Sequence, residues 1–289
     1  MADSRAVFIT GAAGGIGTAT VKALVERGFQ VYAGVRGEAP HLRGSNVELV
    51  QVDVTDPDSV AAAAKEVGRR LGGRGLHALI NNAGIIVQGP LELLSPSEVR
   101  KQFEVNVFGV VETTRAFLPL VRKGQGRIIN LSAATARTAM PYLGAISASK
   151  AALESFSSVA RVELAPWKIP VVIIEPGAVD TTLLSKSGAA AQANLASEDP
   201  ERVTLYANQL EAIQKAMAGQ KPSPVKVVTD VVVKAVEANR PKPLYTAGSD
   251  ARLLGFLSRL PLGVRDRMLT NAMGLNKVSP ASTGTTASR

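Results

Sequence analysis

Short apolar runs alternate with helix-forming stretches along most of this 289-residue chain. The runs consist mostly of Val, Ile, Leu and Ala, a composition typical of strands that are covered on both faces of a parallel sheet. They occupy residues 6–10, 30–35, 47–52, 78–81, 127–131, 170–175 and 244–246. Repeated strand–helix alternation implies right-handed crossovers, so the sequence predicts an α/β protein with one doubly wound parallel sheet flanked by helices.

Helical periodicity marks the segments between the runs. It covers residues 16–27, 59–71, 97–122, 147–165 and 226–238. Residues 183–224 are instead rich in Ala, Ser, Gln and Pro, with a helical pattern near 200–217, and the apolar, basic stretch over 251–274 is interrupted by Pro261. We predict one domain over residues 1–250, a C-terminal helical extension of the same domain over 251–277, and a disordered tail over 278–289.

The absence of cysteine narrows the chemistry that this chain can perform. It excludes disulfides, iron–sulfur clusters and thiolate zinc sites. The two histidines, His41 and His77, are too few for a multi-histidine metal site. No apolar run approaches the ~20 residues of a membrane-spanning helix, and the N-terminus lacks a signal-peptide pattern. The composition therefore predicts a soluble, metal-free, cytoplasmic protein.

The charge balance is basic, with 33 Lys and Arg against 24 Asp and Glu and a formal net charge of +9. Such a balance favours an anionic partner, such as a phosphorylated cofactor, a nucleic acid or a membrane surface. The basic residues are scattered, however, and do not alternate with aromatic side chains as they do in single-strand binders. We therefore predict no nucleic-acid partner.

A glycine-rich turn follows the first predicted strand and opens the first predicted helix. It reads Thr10-Gly11-Ala12-Ala13-Gly14-Gly15-Ile16-Gly17. Glycines let the backbone turn tightly and approach a pyrophosphate that lies on the N-terminus of the helix. In this strand–turn–helix context the motif predicts a Rossmann-like dinucleotide site that includes Thr10, Gly11, Gly15, Ile16 and Gly17.

The end of the second predicted strand indicates which dinucleotide is bound. An acidic residue there would bind the ribose 2′-hydroxyl of NAD, whereas an Arg suits the 2′-phosphate of NADP. The strand is followed by Arg36 and Gly37, and no acid occurs before Glu38. Because a guanidinium matches a phosphate in charge and geometry, we predict NADP(H) rather than NAD(H).

Several further motifs resemble those of the short-chain dehydrogenase/reductase family, and the likeness covers most of the chain. Asp53-Val54 resembles the family's adenine contact, Asn82-Ala83-Gly84 its strand-four motif, and Pro176-Gly177 with Thr181 its nicotinamide-side motif. The stretch from Lys242 to Ala251 resembles the retinol and hydroxysteroid dehydrogenase branch. The resemblance implies that these motif residues bind the cofactor together with Val179 and Lys150.

The resemblance breaks at the family's catalytic residues, which are a Tyr four residues before a Lys and a Ser thirteen residues before that Tyr. Lys150 is present, but Ile146 stands at the Tyr position and Ala133 at the Ser position. A positioned acid is typically worth ~10²–10⁴ in rate, and a hydroxyl that stabilises an oxyanion a further ~10²–10³. An ordinary ketone reductase with these two replacements should be badly impaired.

The remaining catalytic candidates are Asn106, Lys150 and Tyr142. Asn106 falls where the family has its helix asparagine, and both Asn106 and Lys150 would also serve in cofactor binding and structure alone. Tyr142 lies four residues before Ile146, and we predict that it lines the substrate pocket with Ala133 and Ile146, with a role as replacement acid as the alternative. Strand alternation would turn the neighbouring Ser132 to the opposite face from Ala133, unless the strand has already ended there.

Three functions remain open at this stage. The first, which we predict, is an NADP(H)-dependent oxidoreductase that acts on a small hydrophobic substrate. Its proton would come from Tyr142 or water, or its substrate would need no protein acid, as an iminium, a conjugated enone or a quinone would not. The second is a redox-neutral cyclisation or isomerisation in an apolar cavity. The third is an NADP(H)-binding protein without catalysis.

The apolar C-terminal stretch and two central helices bear on partners. Leu254, Phe256, Leu257, Leu260 and Leu262 belong to the stretch, which we predict to pack over the core or a partner subunit rather than on a membrane surface. Resemblance to the family implies that the helices over 97–122 and 147–165 form a homodimer or homotetramer.

Overall fold

Seven parallel strands form a single sheet in the computed structural model, which describes residues 5–279. The strand order is β3-β2-β1-β4-β5-β6-β7. The strands are β1 (Ala6–Ile9), β2 (Gln30–Val35), β3 (Val47–Gln51), β4 (Ala78–Asn81), β5 (Arg127–Leu131), β6 (Val171–Pro176) and β7 (Leu244–Ala247). The predicted α/β class and the doubly wound parallel sheet are confirmed.

Helices connect the strands and cover both faces of the sheet. They are α1 (Gly15–Val25), α2 (Pro57–Arg70), α3 (Pro96–Phe103), α4 (Gly109–Lys123), α5 (Gly144–Glu163), α6 (Thr182–Ser197), α7 (Pro200–Leu205), α8 (Ala207–Ala218), α9 (Val225–Glu237), α10 (Ser249–Leu257) and α11 (Leu262–Ala272). Helices α1 and α9 pack on one face, and α2, α4 and α5 pack on the other. The sheet therefore separates two hydrophobic cores.

Side-chain alternation in β1 supplies both cores. Val7 and Ile9 point to the α1–α9 face, and Phe8 points to the opposite face. There Phe8 stacks on Phe117 of α4, with the ring centroids 4.1 Å apart. Because side chains alternate along a strand, a central strand of this kind must be apolar at every position, as the sequence is.

The helical segment expected over residues 97–122 is continuous but not uniform. Ser95 accepts the Glu98 N–H at 3.2 Å and starts α3, with Pro96 at the first helical position. Between α3 and α4 the chain forms one wide π-helical turn over Glu104–Phe108. Such turns re-aim side chains within a helix and are frequent at functional sites. Asn106 lies in this turn.

The segment over 183–224 contains more helix than its composition predicted. Helices α6, α7 and α8 fill most of it, although a helical pattern was evident only near residues 200–217. Glu92, beside the start of α3, holds this segment: it accepts a hydrogen bond from the Tyr206 hydroxyl at 2.8 Å and pairs with Arg202 at 3.6 Å. These contacts attach α7 and the start of α8 to the segment before α3, and we refer to α6, α7 and α8 together as the cover.

Helix α10, near the C-terminal end of the described residues, packs on the protein with one face. Ala251, Gly255 and Leu257 of α10 are buried, whereas the large apolar side chains of Leu253 and Phe256 are more than half exposed. The predicted packing over the core is thus found for one side of α10. Most of the tail expected to be disordered, residues 280–289, lies outside the described residues.

Within residues 5–279, no helix combines the length and the hydrophobicity that crossing a bilayer requires. In the same range, no three His, Asp or Glu side chains are grouped as metal ligands would be.

Candidate cofactor and substrate site

The carboxyl ends of the strands form the edge at which the candidate residues collect. Strands β1 and β4 are neighbours, although β2 and β3 come between them in the sequence. At such a point the connections leave toward opposite faces, and a crevice opens outside the strand ends where nucleotides bind in doubly wound sheets. The glycine-rich turn leaves β1 at this point, beside the segment that follows β4.

The glycine turn has no room for side chains at its two ends. Gly11 has a positive φ of 64°, and a Cβ atom there would lie 2.8 Å from the Cα atom of Ala83. A Cβ atom at Gly17 would overlap the carbonyl oxygen of Gly11. Helix α1 begins at Gly15, and its first amide groups lack helical partners. The turn therefore has the form of a backbone cradle for phosphate.

Thr10 ties this turn to the end of β4. Its hydroxyl oxygen accepts the N–H groups of Asn82 and Ala83 at 3.1 and 3.0 Å. The Asn82 side-chain amide in turn donates to the carbonyl oxygens of Thr10 and Gly11 at 2.9 and 3.0 Å. The strand-four motif thus fixes the shape of the phosphate turn.

The residues that the sequence assigned to the adenine half of the cofactor lie after β2 and β3. Arg36 directly follows β2, and Asp53 lies two residues beyond the end of β3. The Thr55 N–H and hydroxyl donate to Asp53 Oδ1 at 2.9 and 2.7 Å and lower the pKa of Asp53, and the Arg36 guanidinium lowers it further. Val54 packs against Gly109, the first residue of α4. A cation and a carboxylate therefore lie at this end of the site.

The nicotinamide-side motif meets the glycine turn from the other direction. Pro176 is the last residue of β6, Gly177 begins the following loop, and Val179 is buried within it. The loop ends at Thr181, whose methyl carbon lies 2.9 Å from the place of a Cβ atom on Gly15. The structure therefore brings the two most separated motifs, at residues 10–17 and 176–181, into direct contact.

Asn106 acts on the backbone that follows β4. Its Oδ1 accepts the Ile85 N–H at 2.9 Å, and its Nδ2 donates to the Ile85 carbonyl at 3.0 Å. Gln102, one turn earlier, accepts the Val87 N–H at 2.7 Å and also donates to the Ile85 carbonyl at 2.8 Å. The two amide side chains replace the strand partners that this segment lacks. A role for Gln102 was not predicted from the sequence.

Lys150 lies beneath the same segment, in α5. Its Nζ donates to the Leu131 carbonyl at the end of β5, at 2.6 Å, and lies 3.8 Å from the place of a Cβ atom on Gly84. Burial lowers the pKa of Lys150 to about 8, against the opposing effect of the Glu154 carboxylate. The ammonium is therefore mainly protonated at neutral pH and is held toward the strand ends.

Ile146 and Ala133 give this part of the site an apolar surface. Ile146 lies one helical turn before Lys150 and is buried, with 8% of its surface exposed. Ala133 is an extended residue just beyond β5. Neither side chain can donate or accept a proton. The two positions where the resemblance implies a phenol and a hydroxyl therefore carry hydrocarbon side chains.

Tyr142 lies outside helix α5, which begins two residues later. Its φ is +65°, a left-handed conformation, and its carbonyl accepts the Gly89 N–H at 2.8 Å. The helical spacing to Ile146 that the sequence suggested is therefore absent. Burial raises the pKa of Tyr142 to about 12, and the nearby Tyr206 adds to this effect. A phenol that holds its proton this firmly is a weak acid at neutral pH.

A polar cluster that joins the end of β5 to α5 was not predicted from the sequence. The Ser132 hydroxyl donates to Glu154 Oε1 at 2.5 Å, so Ser132 faces α5, the helix that carries Ile146 and Lys150. Glu175 is fully buried and pairs with Arg137. Burial raises the pKa of Glu154 to about 7, and Glu175 raises it further. Spacing alone places Glu154 one turn beyond Lys150, but its partners come from distant segments.

The fold and this edge define the class of protein. The sheet is parallel and doubly wound, and the glycine turn lies at its switch point. Asn106 and Lys150 both approach Gly84. These features are typical of an enzyme fold that binds a dinucleotide. The family model described as short chain dehydrogenase matches residues 5–192. The chain belongs to the short-chain dehydrogenase/reductase family, a family of oxidoreductases.

Individual relatives support this membership and its branch. Human 17-beta-hydroxysteroid dehydrogenase type 2 is 34% identical over 96% of this chain and 76% of its own length. Retinol dehydrogenase 7 of Mus musculus is 35% identical over 94% of this chain and 88% of its own length. A short chain dehydrogenase from Burkholderia cenocepacia J2315, crystallised in complex with NADP, is 30% identical, with a TM-score of 0.73 over 93% of this chain and 100% of its own. The predicted resemblance is confirmed.

Proposed function

We propose that this protein is an NADP(H)-dependent oxidoreductase that acts on a small hydrophobic substrate without a tyrosine acid. The observation that carries the proposal is the continuous line of contacts along the strand ends. It runs from Thr181 to Gly15, from Gly11 to Ala83, and from Gly84 to Asn106 and Lys150. The glycines let the glycine turn, the segment after β4 and the nicotinamide-side loop approach closely around one crevice, which is the arrangement that binding a dinucleotide requires.

The preference for NADP(H) rests on Arg36. It stands directly after β2, where an acidic residue would favour NAD, and its planar guanidinium suits a 2′-phosphate. The Burkholderia cenocepacia relative, crystallised in complex with NADP, supports this assignment.

Four side chains have separate roles in shaping the site. The cofactor, when bound, supplies or accepts the hydride. Thr10 and Asn82 hold the phosphate turn, and Asn106 holds the segment that follows β4. Lys150 places a buried ammonium near the ribose side of the edge, where its charge stabilises a nearby hydroxyl or anion. None of these groups replaces the phenol that Ile146 lacks.

The missing acid points to the class of substrate. We infer a substrate whose reduction needs no proton from the protein at the hydride-accepting step, such as an iminium ion, a conjugated enone or a quinone. The raised pKa of Tyr142, about 12, opposes a role as replacement acid. Tyr142 serves better as one wall of the pocket, opposite Ile146 and Ala133.

One observation favours a second candidate function. Ile146 and Ala133 replace polar groups by hydrocarbon, while Asn106 and Lys150 keep contacts that need no catalysis. A redox-neutral cyclisation or isomerisation guided by the shape of an apolar cavity would use such a site. A protein that binds NADP(H) without turnover would show the same residues.

A paired binding and turnover experiment distinguishes these functions. NADPH binding is titrated by fluorescence, and NADPH oxidation is followed at 340 nm with ketones, enones, quinones and iminium compounds. We expect turnover of the acid-independent substrates but not of simple ketones. The variant Ile146→Tyr with Ala133→Ser should raise ketone reduction by about 10²-fold or more.

Two results would overturn the proposal. Failure to bind NADPH or NADH at millimolar concentration would exclude a nicotinamide cofactor. Binding without turnover of any compound, with activity only in the double variant, would favour the second candidate function. Tyr142→Phe is the control for the source of the proton, because it leaves the ring in the pocket wall and removes only the hydroxyl.

We also propose that the protein assembles with copies of itself through α4 and α5. The surface formed by these helices, the π turn before α4 and the turn after α5 exposes large apolar side chains. They are Phe108, Phe156, Val159, Val162 and Trp167, and each is at least half exposed. A cytoplasmic location of the protein remains a prediction from the sequence.

A further inference from the structure

Helix α10 extends a carboxylate into the loop that carries the nicotinamide-side motif. Asp250 lies in the first turn of α10, and its Oδ2 accepts the Ala178 N–H at 2.6 Å. Ala178 directly follows the Pro176-Gly177 pair and precedes Val179 and Thr181. This contact joins residues that are 72 positions apart in the sequence.

The Asp250 carboxylate occupies space that a side chain at either of two neighbouring glycines would fill. A Cβ atom at Gly177 would overlap the Asp250 carboxylate, and a Cβ atom at Gly248 would lie 2.5 Å from its Oδ1. Gly248 also has a φ of +112°, which only glycine adopts readily. Gly177 in the loop and Gly248 before α10 therefore leave the space that the Asp250 side chain occupies.

Backbone hydrogen bonds fix the loop on its other sides. The Gly177 N–H donates to the Ala247 carbonyl of β7 at 3.0 Å. The Ser223 N–H donates to the Ala178 carbonyl at 2.8 Å, and its own carbonyl accepts the Asp180 N–H at 3.0 Å. Asp250 supplies the charged contact in this set, and hydrogen bonds to ionised groups are stronger than neutral ones.

We propose that Asp250 is a positioning residue for the nicotinamide half of the cofactor. It fixes the Ala178 amide and thereby sets the path of the chain through Val179 to Thr181, which lies against Gly15. A loop that is already ordered binds its ligand more tightly than one that must be ordered on binding. This inference rests on the proposed binding of NADP(H) and assigns one half of that cofactor to one side chain.

The test compares a whole cofactor with a fragment that lacks nicotinamide. Dissociation constants for NADPH and for adenosine 2′,5′-bisphosphate are measured by calorimetry for the wild type, Asp250→Ala and Asp250→Asn. We expect Asp250→Ala to weaken NADPH binding about tenfold or more while the fragment stays within about twofold. Asp250→Asn keeps an acceptor oxygen and should recover most of the NADPH affinity.

Amide hydrogen exchange provides a readout that needs no cofactor. Exchange at Ala178 should be faster in Asp250→Ala than in the wild type and close to wild type in Asp250→Asn. Asp266→Ala, which removes a largely exposed acid from the neighbouring helix α11, is the matched control. Asp250→Ser offers a second truncation if the alanine variant does not fold.

The outcomes separate this inference from the proposed function. Unchanged NADPH affinity and unchanged Ala178 exchange in Asp250→Ala would overturn the positioning role. An equal loss of affinity for NADPH and for the fragment would also overturn it, because the effect would then be general. A wild-type protein that binds neither ligand would overturn the proposed function and, with it, this inference.

Discussion

At the scale of single residues, the charge of Glu154 should make stability depend on pH near neutrality. Burial raises the pKa of Glu154 to about 7 from an ordinary value of 4.5. The folded protein therefore holds a proton that the unfolded chain releases between these values. The stability that Glu154 contributes is present below about pH 4.5 and is lost as the pH rises through about 7.

Replacing Glu154 by Gln removes this titration and keeps an acceptor for Ser132. Relative to Glu154→Gln, the wild type should lose on the order of 1–2 kcal/mol of unfolding free energy between pH 5 and pH 8, after allowance for partial exposure. Urea unfolding at the two pH values measures the difference. Glu163→Gln, an exposed site on the same helix, is the control, and parallel pH profiles of wild type and Glu154→Gln would contradict the prediction.

At the scale of elements, Glu92 fastens the cover formed by α6, α7 and α8. It accepts from the Tyr206 hydroxyl and pairs with Arg202, and both contacts lie at the surface. Exposed pairs are worth roughly 0–1 kcal/mol each, so Glu92→Ala should shift the opening equilibrium only several-fold. We expect faster proteolysis within residues 182–218.

Limited proteolysis with mass spectrometry measures this opening. Glu112→Ala is the matched control, because Glu112 forms a comparable pair with Arg115 on α4, away from the cover. Equal cleavage rates for Glu92→Ala and Glu112→Ala would show that the contacts of Glu92 do not hold the cover.

The elements also show why some structure was predictable and some was not. Strands β2, β4 and β5 match their predicted bounds, because central strands require unbroken apolar runs. Helix α6 was missed, since its Ala-, Ser- and Gln-rich sequence has little amphipathic contrast. The π turn at Asn106 was not predicted, because one additional residue in a turn hardly changes the helical spacing of apolar residues in the sequence.

The residues of the candidate site were also predictable only in part. Turn and motif residues such as Gly11 and Asn82 were found because their neighbours along the chain define their setting. Glu154 and Asp250 were not assigned a role, since each acts on a partner far away in sequence, Ser132 and Ala178 respectively. Contacts of this kind follow from the assembled sheet.

At the scale of the whole molecule, the apolar surface on α4 and α5 predicts an oligomer. Phe156 is 52% exposed on this surface, and Phe256 is 57% exposed on α10, so the two offer a matched comparison. Phe156→Ser should convert the wild-type oligomer to smaller species, while Phe256→Ser should not. Light scattering after size-exclusion chromatography measures both masses; dissociation by Phe256→Ser alone would place the interface on α10.

The origin of β7 and α10 late in the sequence has a consequence for biosynthesis. The glycine turn leaves the ribosome first, but Ala247 and Asp250, which fix the loop at residues 177–181, are translated more than two hundred residues later. A nascent chain that has folded its first six strands still lacks the contacts from Ala247 and Asp250 to this loop. Products truncated before β7 should therefore lack full affinity for the proposed cofactor, although they contain the glycine turn and the loop.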